Sequence, residues 1–219
     1  MYRILFEHPD FLVLDKLPGI GMHDEQVGEQ GIARGLVNRV KADTGLTLYP
    51  VHRLDKMTSG LVLLARTTEA NRALSMAFAA REVSKQYLAL SDRKPKKKQG
   101  WVKGDMQKGR GGNWLLARTL DNPAISWFDS VAVREGLRLY RIKPQTGKTH
   151  QIRVALKSIG APILGDERYG GTPADRGYLH AWRLSFTLAG EPFELACPPA
   201  VGSEFATPEL TAAITTLTL

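Results

Sequence analysis

Val51-His52-Arg53-Leu54-Asp55-Lys56-Met57-Thr58-Ser59-Gly60-Leu61-Val62-Leu63-Leu64-Ala65 is the stretch on which the reading of this chain turns. It sets one carboxylate, Asp55, among Arg53, Lys56 and His52. Thr58, Ser59 and Gly60 then make a turn, and the apolar run after Gly60 reads as a buried strand. Asp55 is therefore expected on a loop feeding into the core, where a rigid scaffold aims it. Neighbouring cations favour the ionised form of a carboxylate, and an ionised, aimed aspartate is a competent nucleophile. The competing reading is a structural ion pair at a strand entry.

Upstream, Tyr2 to Glu7 and Phe11 to Asp15 read as two strands around the turn His8-Pro9-Asp10. Ile32, Leu36, Val37 and Val40 fall at helical spacing, with Gly45 as the stop. Arg34, Arg39 and Lys41 lie off that stripe and are expected on a solvated face. Downstream, Thr68 is placed to cap a helix carrying Ala70, Ala73, Leu74, Ala77 and Phe78, and Ser84 to Leu90 reads as a strand. Arg93 to Arg110 is dense in Lys, Arg and Gly, which predicts a surface loop or loose hairpin able to grip phosphates. Strands are expected over 114–120, 124–133 and 137–143. Thr149 should cap a helix with Ile152, Ala155, Leu156 and Ile159 on its apolar face, closed by Gly160. Thr207-Pro208-Glu209 starts a last helix.

Several blocks together carry a resemblance. His52-Arg53-Leu54-Asp55 with Thr58-Ser59-Gly60-Leu61, Lys85-Gln86-Tyr87-Leu88-Ala89, and Thr146-Gly147-Lys148-Thr149-His150-Gln151-Ile152-Arg153-Val154 resemble the motifs of the RluA-type family of RNA pseudouridine synthases. Gly160 to Gly170 and Leu179-His180-Ala181 extend the likeness and read as scaffold. It departs at Pro18, which stands one position late in Lys16-Leu17-Pro18-Gly19, and at Ala155 and Ala161, which replace histidines.

The resemblance implies an α/β (α+β) fold: a bent, mixed, largely antiparallel sheet in two lobes with flanking helices. It also implies a single catalytic domain over 1–219, with no separate N-terminal RNA-binding domain. The implied activity is isomerisation of uridine to pseudouridine in structured RNA, ribosomal or transfer. Asp55, Tyr87 and Arg153 are the implied catalytic residues, with Arg153 orienting Asp55 through its fork and Tyr87 stacking on the base. Arg53, His52, Leu54, Lys85, His150 and Ile152 are implied at the substrate, and no cofactor is called for. The sequence contains no metal-ligand cluster.

Composition agrees. Lys and Arg number 30 against 22 Asp and Glu, a net charge of +8, which favours an anionic partner such as RNA. The single Cys197 excludes an internal disulfide and cannot alone build a zinc site. No apolar run is long enough for a membrane span and the start lacks a signal-peptide pattern, so a cytoplasmic monomer is expected. Two other functions compete: an RNA-binding module without catalysis, and a carboxylate glycosidase, which would want a second catalytic carboxylate.

Overall fold

The computed structural model describes residues 1–28 and 31–218. In chain order the strands and helices are β1 (Tyr2–Glu7), β2 (Phe11–Lys16), β3 (Glu25–Val27), β4 (Gly31–Ala33), α1 (Leu36–Thr44), β5 (Tyr49–Pro50), β6 (Ser59–Ala65) and α2 (Thr68–Ala79). They continue with β7 (Ser84–Ser91), β8 (Gly100–Lys108), β9 (Trp114–Leu116), β10 (Pro123–Arg134), β11 (Leu137–Pro144), α3 (Gln151–Ser158), β12 (Leu179–Leu188), β13 (Glu191–Ala196) and α4 (Pro208–Thr218). This is the expected α+β class. Among the described residues no helix is long and apolar enough to cross a membrane. The chain divides into two compact units: Met1–Ser84 with Ala181–Pro198, and Lys85–His180 with the residues from Pro199 onward.

In the first unit β2 and β6 are buried along their whole length, as their near-continuous apolar sequences require. They pair antiparallel from Phe11 opposite Ala65 to Lys16 opposite Gly60. β1 flanks β2, and β12 with its hairpin partner β13 lies beyond β6. α1 and α2 bury Leu36, Val37, Val40, Ala70 and Leu74. Three local expectations need correction. Ile32 is 71% exposed on β4, and α1 begins only after Gly35. The cap of α2 is Thr67, whose hydroxyl accepts the Ala70 amide at 3.1 Å; Thr68 is the first helical residue. Ala73 is exposed, so the buried stripe of α2 is narrower than its sequence suggests.

In the second unit the strand order is β7-β11-β10-β8-β9, each neighbouring pair antiparallel. Of the surface loop or loose hairpin expected from Arg93 to Arg110, Gly100–Lys108 is instead a regular strand of the sheet, β8. Its nine residues form a strand between β10 and β9. The charge density misleads because it alternates: Val102 and Gly104 are buried, while Trp101 and Lys103 point outward. Gly104 serves a close approach, since a Cβ there would run into the Ala117 carbonyl. Only the stretch before Gly100 remains a basic connection. There Lys97 donates to the Trp101 carbonyl oxygen and lies over the Phe128 ring.

Candidate active site

The Asp55 turn is built within the first unit. The Thr58 amide donates to the Asp55 carbonyl at 3.0 Å, closing a tight turn over Lys56 and Met57. The Lys56 carbonyl accepts the Gly19 amide at 2.8 Å and the Lys16 ammonium at 3.2 Å. The same ammonium, fully buried, donates to Ile20 O at 2.8 Å and Leu17 O at 3.1 Å. A buried ammonium demands such partners, because an unpaired one is strongly disfavoured. Lys16 therefore ties the Pro18-Gly19 loop to the Asp55 turn. Gly60 has φ +103°, and a Cβ there would run into the backbone of Ala181, so no other residue fits.

His52, expected at the substrate, has scaffold contacts. Its Nε2 accepts the Leu63 amide at 2.9 Å, and its ring stacks on Phe78 at 4.9 Å between centroids. Leu54 is buried and anchors the turn in the core. Arg53 is exposed and Asp55 half-buried.

The other expected residues belong to the second unit. Tyr87 lies half-buried on β7 opposite Ile142 of β11. Lys85, two residues earlier and on the same strand face, has its pKa pushed down by burial of the ammonium. Arg153 is buried on α3 and makes a bidentate pair with Asp166, Nε to Oδ2 and Nη2 to Oδ1, both at 2.7 Å. The bidentate partner of Arg153 is thus Asp166, in the stretch that sequence analysis reads as scaffold. The Arg153 guanidinium also lies 4.9 Å from the centroid of the Tyr169 ring. The Tyr169 hydroxyl accepts the Trp114 amide at 3.0 Å and sits 2.8 Å from His150 Nδ1. Burial raises the Tyr169 pKa, so the phenol stays protonated through the neutral range.

His150, not Thr149, is the cap position of α3, and it stands in the left-handed region at φ +58°. For a residue with a Cβ that conformation costs about 1–2 kcal/mol, and such strain gathers at functional sites. Gln151 fixes the approach to it. Its Oε1 accepts from the Thr146 hydroxyl at 2.7 Å and the Lys148 amide at 3.0 Å, and its Nε2 donates to Ile125 O and Ser126 Oγ. Ile152 is buried behind this loop. Asp166, Tyr169, Gln151 and Lys16 are the residues that sequence reasoning passed over. A carboxylate directly after the apolar run Ala161-Pro162-Ile163-Leu164-Gly165 was the available signal for Asp166. Among the described residues no cluster of three or more His, Cys, Asp or Glu side chains is arranged to hold a metal ion.

Comparison with known proteins bears on this arrangement. The sequence model of the family described as RNA pseudouridylate synthase matches residues 10–158. The chain is 46% identical over 202 residues to a protein of Haemophilus influenzae named as an uncharacterized RNA pseudouridine synthase, covering 91% of this chain and 88% of that one. It is 33% identical over 173 residues to the ribosomal large subunit pseudouridine synthase C of Rickettsia bellii, covering 76% of this chain and 56% of that relative. Among solved structures, human RNA pseudouridylate synthase domain containing 1 has the same fold, with TM-score 0.73 at 22% identity over 91% of this chain and 84% of that one. The matched stretch takes in the Asp55 turn, Tyr87 and Arg153, and the chain belongs to the RluA-type family of RNA pseudouridine synthases, enzymes that isomerise uridine in RNA.

Proposed function

We propose that this chain converts uridine to pseudouridine in structured RNA, with Asp55 as the catalytic carboxylate. The observation that carries the reading is the construction of the Asp55 turn. Lys16, Gly19 and Gly60 hold one short loop that presents a half-buried aspartate. A fixed carboxylate is what attack at a sugar carbon or removal of a ribose proton requires.

In this reading Asp55 either attacks the anomeric carbon or takes the ribose 2′ proton. The bond from the ribose to N1 of uracil breaks, the base turns, and C5 bonds to the ribose. A proton leaves C5 and one is gained at N1, so substrate and product are isomers. Asp166 engages Nε and Nη2 of Arg153, and Arg153 is the residue we assign to orient Asp55. Tyr87 stacks on the uracil and helps deprotonate C5. Arg53, exposed on the turn, fills the place of the extruded base. Lys85, His150 and Ile152 border the substrate, with His52 and Leu54 supporting the turn from behind. The two units together make one catalytic domain, acting as a cytoplasmic monomer without a metal or cofactor. Ribosomal RNA of the large subunit is the first substrate to test, because relatives carry it in their names; transfer RNA is the second.

The test is pseudouridine mapping in cells with and without the protein, complemented by wild type or Asp55→Asn. Wild type should restore a modified position and Asp55→Asn should not, while RNA affinity of the variant stays within about threefold, under 1 kcal/mol. A full pseudouridine yield from Asp55→Asn would refute the mechanism. No position dependent on wild type would point instead to an RNA-binding module.

A further inference from the structure

We propose that a cavity in the first unit, bounded by His23, Glu25, Arg34, Gly35, Arg39 and Lys56, is a phosphate site that seats the RNA backbone next to the Asp55 turn. The proposal rests on the reading of the substrate as RNA. The cavity measures about 170 Å³, while one water needs only about 10–15 Å³ of such space, so there is room for a phosphate group.

The charges around it are out of balance. Lys56 is paired with Glu25 at 2.5 Å. Asp24 is engaged by the Gly35 amide at 2.8 Å and the Asn38 amide at 3.0 Å, which hold its carboxyl below its ordinary range. Asp43, farther along α1, accepts the Tyr2 hydroxyl at 2.9 Å. Each acid of this neighbourhood is thus engaged by another group; the Arg34 charge acts on Asp24, yet neither Arg34 nor Arg39 has a carboxylate within ion-pair distance among the described residues. Arg39 presents the sharper anomaly: its Nε is buried with no hydrogen-bond partner. A buried donor left unmade is costly, so native proteins supply a partner or a ligand for nearly all of them. Two guanidinium groups beside one cavity match the oxygens of a phosphate, which forks of this kind bind through paired hydrogen bonds.

The place in the chain says which phosphate. Lys56 lines the cavity and follows Asp55 directly, and consecutive Cα atoms are about 3.8 Å apart. The occupant is therefore a backbone phosphate close to the extruded nucleotide. Such a contact fixes register without reading sequence. Arg34 and Arg39, which their spacing had placed on a solvated helix face, become positioning residues for the strand.

The test uses this chain as wild type, Arg34→Gln and Arg39→Gln, with Lys41→Gln as a charge control on the helix that carries Arg39 but outside the cavity. First, melting temperature is followed against inorganic phosphate at constant ionic strength. Phosphate should raise it for wild type and Lys41→Gln and lose most of that effect in both arginine variants. Second, binding of unmodified ribosomal and transfer RNA transcripts is measured against salt. Each arginine variant should flatten the slope of log affinity against log salt by about 0.7–0.9 for one lost phosphate contact. Equal stabilisation of all four proteins by phosphate would overturn the site. A phosphate effect confined to the arginines, with the RNA salt slope unchanged, would overturn its assignment to RNA and leave a site for free phosphate. Arg34 is exposed, so its variant keeps the test decisive if Arg39→Gln fails to fold. If both arms hold while wild type makes no pseudouridine, the phosphate site stands and the proposed function falls.

Discussion

At Arg153 one guanidinium meets a carboxylate and an aromatic face, and both partners lie in a stretch that resembles plain scaffold. Removing one member of a buried ion pair leaves the other charged and unpartnered. Asp166→Ala should therefore cost about 3–5 kcal/mol of stability, measured by urea unfolding. Asp166→Asn preserves shape and should fold, yet turnover should fall at least tenfold, because Arg153 loses the charged bidentate partner that fixes its direction. Wild-type turnover from Asp166→Asn would show that Arg153 needs no such anchor. Gly60→Ala meets both the positive φ and the Ala181 backbone. We expect it to lose at least the roughly 1–3 kcal/mol of a strained residue and to disturb Asp55 more than the distant sheet. A normal stability and rate for Gly60→Ala would contradict the turn's geometry.

At the scale of elements, the long apolar strands were legible because burial on both faces writes itself as a continuous run; β2 and β6 are the examples. β8 was not, because a strand carrying lysines on one face and glycine on the other has the composition of a loop. Caps were displaced by one residue at Thr67 and His150, where neighbouring threonines offered equally good side chains. Within the candidate site, the motif residues were visible as types, but their partners were not. The Arg153–Asp166 pair spans 13 positions with a turn between, and no periodicity connects them. The corrected basic segment changes one expectation. Lys97 is already engaged by the Trp101 carbonyl, leaving Lys96 and Lys98 exposed. Replacing those two by Gln should flatten the RNA salt slope by about 1.4–1.8 if each meets a phosphate. The modified uridine should stay the same, and a shifted position would show that this segment reads the RNA. β8 also carries Asp105, whose carboxylate accepts the amides of Asp121 and Asn122. Hydrogen bonds from Thr119 and from those amides hold its pKa below the ordinary aspartate value. A depressed carboxyl contributes stability above its unfolded pKa and loses it as pH falls through the folded one. Asp105→Asn should accordingly narrow the stability difference between pH 7 and pH 3, read by thermal melts at both.

For the whole molecule, the net charge of +8 makes RNA affinity strongly dependent on ionic strength, whichever uridine is chosen. Folded RNA has its own need for magnesium, so cofactor dependence is best measured on a short stem-loop stable without it. Activity on that substrate should survive dialysis of the protein against a chelator; loss restored by zinc would overturn the metal-free reading. The lone thiol gives a global probe. Burial first, and the Asp15 carboxylate second, push the Cys197 pKa up to about 12. It should resist a thiol reagent at pH 8 in the native protein and react once denaturant opens the fold. Rapid native labelling would show that the Cys197 environment opens on its own.

Lys16 offers a finer reporter. Its ammonium is enclosed by the carbonyls that join the Pro18-Gly19 loop to the Asp55 turn. An amine-acylating reagent should mark the surface lysines quickly and leave Lys16 blank. Its appearance in a peptide footprint would then time the opening of the Asp55 turn itself, separately from the unfolding that uncovers Cys197.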